Sequence, residues 1–181
     1  MILCYSDLKL TTKGEKMKKV LGVDLGNVII DHVGFGTTPE FFYSGDYNTI
    51  PPVHGVFDAL KRLNQERFNC NMFVVYNASD VADRKIISWL RSHDFFERTG
   101  VSPERVMRTQ NGRNKLSVCE LYQATHFIDD RLEVLSHLVG KVGSLYLLRP
   151  QQREVEQYQD FLAHVRQVHS WEDIIQSLIF S

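Results

Sequence analysis

The sequence predicts an α/β fold, a three-layer sandwich of helices packed on both faces of a central parallel sheet, and three observations carry that expectation. Apolar runs of strand length recur at residues 19–24, 71–76, 125–128 and 142–148, and continuous rather than alternating hydrophobicity marks strands buried on both faces. Segments with apolar residues at helical spacing lie between them, and this alternation is satisfied by parallel strands joined through right-handed crossovers. Two of the runs end abruptly on acid, the first on Asp24 and the later one on Asp129-Asp130.

Taken in chain order, residues 1–16 show no period and are expected to be a leader outside the core, with Met17 as the natural start and residues 17–181 as one domain. The first strand closes at Asp24, and Gly26 permits the turn that follows. Residues 31–52 mix Gly34, Gly36, Pro39, Gly45, Pro51 and Pro52 with Phe35, Phe41, Phe42, Tyr43 and Tyr47, which reads as an irregular flap too short for a domain of its own. These aromatics are expected mainly to cover the core, with stacking on a substrate as the other reading. A helix is expected over 52–63, where Val56, Leu60 and Leu63 share a face. The strand over 71–76 is followed by Ser79 or Asp80 as a cap, then by a helix with Ile86, Ile87, Trp89 and Leu90 inward. A short strand at 106–108, a helix at 115–122, the strand at 125–128, a helix at 132–139 and the strand at 142–148 come next. A long polar-faced helix after Pro150 and a terminal helix at 171–179 complete the chain.

Composition narrows the function classes. The 181 residues suffice for one domain with a substantial core. The chain has 21 basic and 22 acidic residues with no long basic block, so no broad nucleic-acid surface is expected. No apolar run has the length of a membrane span. Cys4, Cys70 and Cys119 are scattered and odd in number, and read as thiols of a reducing compartment, with the cytoplasm as the default location. His54 and His126 lack metal-ligand spacing and read as structural.

In open α/β sheets ligands bind outside the carboxyl ends of the strands. Asp24 and the Asp129-Asp130 pair are both delivered there, which points to a carboxylate cluster suited to a hard cation such as Mg²⁺ and a phosphate-bearing ligand.

Asp24-Leu25-Gly26-Asn27-Val28, strand-ending Tyr76-Asn77, a later Lys115 and Phe127-Ile128-Asp129-Asp130 occur in that order. In this the chain resembles the haloacid dehalogenase-like superfamily over residues 18 to about 178, in a minimal-cap, phosphatase-like form. The resemblance implies a Rossmann-like core, Mg²⁺ as cofactor, and a hydrolase that forms an aspartyl-phosphate. It casts Asp24 as nucleophile, and Asp24, the Gly26 carbonyl and Asp130 or Asp129 as metal ligands. It casts Lys115 as the fixed positive charge on the phosphoryl group. Leu25 and Gly26 would offer backbone N–H groups to phosphate, and Asn27, Tyr76 and Asn77 complete the expected phosphate-binding set. At the position of Lys115, Arg108 and Arg113 are the competitors.

Two departures stand out. Family phosphatases carry a second Asp two residues after the nucleophile as acid and base, where this chain has Gly26; Tyr76 stands where Ser or Thr is usual. The expected function is therefore Mg²⁺-dependent hydrolysis of a phosphomonoester, carried on a small molecule or a macromolecular end. The alternative is a degenerate relative that binds a phosphate ligand or a protein partner. Leu21-Gly22-Val23-Asp24-Leu25-Gly26 also resembles the phosphate-binding opening of sugar kinases and actin-like ATPases, but those folds need two large domains.

Overall fold

The computed structural model describes residues 18–38, 41, 44–110 and 114–180. The expected leader, Met17, Pro39, Phe42, Tyr43 and Arg113 lie outside them. Six strands are present among the described residues: β1 (Leu21–Val23), β2 (Met72–Asn77), β3 (Val106–Thr109), β4 (His126–Asp129), β5 (Ser144–Leu148) and β6 (Arg166–Val168). All pairings are parallel and the order across the sheet is β3-β2-β1-β4-β5-β6. β1 is central, so its carboxyl end lies between those of β2 and β4.

Alternate residues of each strand feed two apolar layers. Val74, Tyr76, Ile128, Tyr146 and Leu148 join one layer with Trp89 and Trp171, whereas Phe73, Val75, Phe127, Leu145 and Leu147 join the other with Leu135 and Leu138. This is the two-faced burial that the continuous apolar runs imply. Gly22 in β1 is required by this packing, since a Cβ there would stand 2.4 Å from the Phe127 ring and 2.5 Å from that of Phe73.

The helices are α1 (His32–Phe35), α2 (Val56–Arg62), α3 (Asp80–Ser92), α4 (Phe95–Thr99), α5 (Lys115–Tyr122), α6 (Leu132–Ser136), α7 (Gln152–Gln157) and α8 (Trp171–Ile179). Ser79 caps α3 by accepting the Ala82 N–H at 3.3 Å. Ser170 and Asp173 form a reciprocal capping box on α8. Two buried tryptophans pin helices to the loop after β1: Trp89 Nε1 donates to the Ile50 carbonyl at 2.7 Å, and Trp171 Nε1 to that of Val28 at 2.9 Å.

Several elements differ from the sequence expectation. The helix expected over 52–63 starts at Val56, after Gly55 in the left-handed region, and continues as a π-helical turn through Leu63–Arg67. The helix expected over 132–139 stops at Ser136. The long helix after Pro150 is only α7, followed by a 3₁₀ stretch at Gln159–His164 and the unforeseen β6. β6 buries only Val168, so an edge strand of this kind carries no apolar run to announce it. Helix α4 was likewise not expected. Cys119 is a buried free thiol, and Cys4 lies outside the described residues.

The described residues at the two ends of the 31–52 segment are tied to the body. Asp31 caps α1 by accepting the Gly34 N–H at 3.0 Å, Ile30 bridges Pro52, and Tyr47–Thr49 form a 3₁₀ turn capped by Asp46. No helix among the described residues is long and apolar enough to cross a membrane.

Candidate active site

Asp24 follows the last residue of β1 and donates its backbone N–H to the Ile128 carbonyl at 2.9 Å, which ties it to the end of β4. The chain then turns back sharply. The Leu25 carbonyl accepts the Ile29 and Ile30 N–H groups at 2.8 and 2.9 Å, and the Asn27 N–H donates to the Ile30 carbonyl at 2.7 Å. Asn27 adopts a left-handed conformation, φ 56°, which an asparagine tolerates better than most residues. Its amide Nδ2 donates to Asp130 Oδ2 at 3.0 Å, and its Oδ1 accepts the Val33 N–H at 3.0 Å.

Asp24, Asp129 and Asp130 are all buried, and one oxygen from each lies within 4.8 Å of the others. Lys115, the first residue of α5, is also buried, and its ammonium donates to Asp24 Oδ1 at 2.5 Å and to Asp129 Oδ2 at 2.8 Å. Asp129 Oδ1 accepts the Arg131 N–H at 3.0 Å, so both its oxygens are engaged.

One ammonium facing three carboxylates leaves the cluster short of positive charge. Burial pushes the Asp24 carboxyl above its ordinary pKa; Lys115 opposes the rise and Asp129 adds to it. Burial, Asp129 and Asp24 push Asp130 up to about 8. Burial by itself pulls Lys115 down, but Asp129 and Asp24 more than reverse it and hold the ammonium charged.

A cleft of about 250 Å³ opens over this cluster. Asp24, Leu25, Gly26, Asn27, Tyr76, Asn77, Lys115 and Asp130 all line it, and Asp129, at 0% exposure, joins them through the carboxylate cluster and its bond to Lys115 without lining the cleft. Two of them are committed elsewhere. The Asn27 amide is engaged at both ends, and the Tyr76 hydroxyl donates to Asp83 at 2.7 Å. Arg108 pairs with Asp80 and Asp83, at 2.6 and 3.7 Å, rather than with the acidic cluster.

The cleft also contains His32, Tyr47 and Arg131, which sequence reasoning did not assign to the site. His32 Nε2 lies 3.1 Å from the Tyr47 hydroxyl. Burial lowers the His32 pKa, while Asp24 and Asp31 act to raise it. No spacing rule marks these residues: His32 follows the tight turn at 25–30, Tyr47 comes from the segment beyond it, and Arg131 follows the acidic pair after β4. Gly26 is not in the left-handed region, and a Cβ on it would meet only His32 Cδ2, at 3.7 Å.

No protein-family model and no curated protein matches the chain. Solved structures do match it in fold. The D,D-heptose 1,7-bisphosphate phosphatase of B. bronchiseptica, crystallised with magnesium and phosphate, aligns with a TM-score of 0.60 at 14% identity, over 88% of this chain and 99% of that one. A protein described as a haloacid dehalogenase-like hydrolase from Burkholderia xenovorans LB400 aligns with a TM-score of 0.62 at 13% identity, over 89% and 99%. A phosphoserine phosphatase in its apo form aligns with a TM-score of 0.52 at 10% identity, over 89% and 99%. At these identities the likeness establishes a common α/β fold.

Proposed function

We propose that this chain is a Mg²⁺-dependent phosphohydrolase that works through an aspartyl-phosphate on Asp24, with residues 31–52 as a flap in place of a separate cap domain. The observation that carries the reading is the buried contact of Lys115 with Asp24 and Asp129 at the carboxyl edge of the sheet, beside Asp130 and beneath a cleft. Such an arrangement costs folding energy, since buried charges are stabilising only when well compensated, and perturbed carboxylates in a cleft mark functional sites. The phosphatase fold neighbours support the same reading.

Asp24 is the nucleophile. The Lys115 ammonium keeps its carboxylate ionised against the effect of burial, and stands ready to stabilise charge on the phosphoryl oxygens. The Leu25 N–H favours the ionised form of Asp24 as well. Three clustered carboxylates form an all-oxygen donor set that fits a hard divalent cation. Asp24, Asp130 and the Gly26 carbonyl would hold Mg²⁺, which supplies charge neutralisation to the transferring group when bound. Asp129, with both oxygens engaged, is better suited to holding Lys115 than to direct ligation. Asn27 positions Asp130 rather than binding phosphate. Water then hydrolyses the aspartyl-phosphate and regenerates the Asp24 carboxylate. A cleft of about 250 Å³ suits a small phosphomonoester or a projecting phosphorylated end.

The test is release of inorganic phosphate from an aryl phosphate with and without Mg²⁺, by the wild type and by Asp24→Asn prepared identically. The wild type is expected to turn over only with Mg²⁺ and the variant not at all, since an amide is a poor nucleophile. Equal rates in the two proteins would overturn the reading.

A further inference from the structure

Hydrolysis of an unactivated phosphate ester needs a proton for the leaving oxygen and a base for the attacking water, a contribution of about 10²–10⁴-fold. Gly26, two residues after Asp24, has no side chain to supply either. The imidazole of His32 lies beside the space such a side chain would begin to fill. A Cβ built on Gly26 would meet His32 Cδ2 at 3.7 Å, an ordinary van der Waals contact. The ring atom bonded to Cδ2 is Nε2, and Nε2 lies 3.1 Å from the Tyr47 hydroxyl. Both side chains line the cleft with Asp24.

The pair is also fixed in place. The His32 N–H donates to the Ile30 carbonyl at 3.1 Å, and the neighbouring Asp31 is tied to Arg149 at 3.2 Å. Tyr47 is 4% exposed and begins a 3₁₀ turn capped by Asp46. Burying an apolar surface would not require an imidazole nitrogen and a phenol oxygen bonded to each other at a cleft wall.

We propose that His32, oriented by Tyr47, is the proton-transfer group of this site, in place of the side chain that Gly26 lacks. The proposal rests on the phosphohydrolase reading above. As an Asp24 oxygen bonds to phosphorus, the bond from phosphorus to the ester oxygen breaks, and that oxygen takes a proton from the His32 imidazolium, whose Nε2 is held by the Tyr47 hydroxyl. The neutral imidazole then accepts a proton from water as the water oxygen attacks the aspartyl-phosphate. The bond between phosphorus and Asp24 breaks, Asp24 leaves as a carboxylate, and His32 is again protonated. One ester and one water are consumed, and one alcohol and one phosphate are released.

The experiment compares wild type, Asp24→Asn, His32→Gln and the double variant His32→Gln with Gly26→Asp on p-nitrophenyl phosphate and on glycerol 2-phosphate, at saturating Mg²⁺. An aryl leaving group needs little protonation and an alkoxide needs much. His32→Gln is expected to lose about 10²–10⁴-fold on the alkyl ester and far less on the aryl ester. Gly26→Asp in that background is expected to recover part of the alkyl activity, since the position accepts a Cβ without left-handed strain. An unchanged rate, or an equal loss on both esters, overturns the role of His32 while the phosphohydrolase reading stands on the inactivity of Asp24→Asn. A wild type no faster than Asp24→Asn on either ester overturns both. Thermal midpoints of all four proteins confirm folding, and His32→Asn replaces His32→Gln if the latter does not fold.

Discussion

At the scale of single residues, the site depends on groups that are costly to bury and are held in place by one another. Lys115 is the sharpest case, because its ammonium bridges two buried carboxylates. Lys115→Met is expected to abolish phosphate release and to lower stability by about 3–5 kcal/mol, since two buried acids lose their partner; urea unfolding with and without Mg²⁺ measures it. Asn27 allows backbone and side chain to be separated. Asn27→Gly keeps the left-handed turn and removes the bond to Asp130, whereas Asn27→Ala removes the bond and adds about 1–2 kcal/mol of left-handed strain. Both variants should weaken the response to Mg²⁺ to a similar extent, and only Asn27→Ala should be clearly less stable. Equal stabilities would show that the turn is not strained for an ordinary side chain. Asp24 and the Asp129-Asp130 pair were legible in the sequence, because a strand-ending acid is a local pattern. Lys115 was legible only through its place at the head of the helix before the second acidic strand. His32 and the bracing role of Asn27 were not legible, because both are products of the turn that follows β1.

At the scale of elements, β1 bears the tightest constraint. It is the central strand, with the Phe73 and Phe127 rings closing over Gly22. Gly22→Ala is expected to cost about 1–3 kcal/mol by overpacking, and Phe127→Leu in the same chain should recover part of that cost by making room. Equilibrium unfolding of the single and double variants measures it, and additive losses would mean that the ring does not set the constraint. Helix α8 offers a milder test. Ser170→Ala removes one half of a capping box and should cost about 1 kcal/mol without affecting Mg²⁺ binding. Helices α5 over 115–122 and α8 over 171–179 were read correctly to the residue, and α8 carries a clear apolar face in Trp171, Ile174, Ile175 and Leu178. Elements held mainly by tertiary contacts, such as β6 and the broken segment after α7, were not. An edge strand with one buried residue is stabilised by its neighbour β5 rather than by its own pattern.

At the scale of the whole molecule, the acidic cluster links charge and pH to stability, and the proposed function adds Mg²⁺ to that linkage. Asp130 is pushed up to about 8, chiefly by burial. A carboxyl whose folded pKa lies above its unfolded one holds its proton longer in the folded state, so its contribution to stability declines as pH rises from about 4 to about 8. Metal-free protein is therefore expected to lose thermal stability from pH 6 to pH 8. Mg²⁺, which competes with that proton, should raise the thermal midpoint more at pH 8 than at pH 6. Asp130→Asn should remove most of the difference. A midpoint indifferent to millimolar Mg²⁺ at both pH values would count against a metal centre.

The sequence by itself determined that strands and helices alternate, that the strands are buried on both faces, and that two of them end on acid, because burial periodicity and strand length are written in consecutive residues. A carboxylate cluster of Asp24 with the Asp129-Asp130 pair was expected from the sequence, but only the tertiary structure decided the order in which β1 lies between β2 and β4, and that Lys115 bridges Asp24 and Asp129. It also decided that His32, paired with Tyr47, stands beside Gly26. Strand order and the path of a turn are set by packing between residues far apart in the chain, such as the 91 positions separating Lys115 from Asp24. No local pattern encodes a contact whose energy exists only once both partners have been buried together.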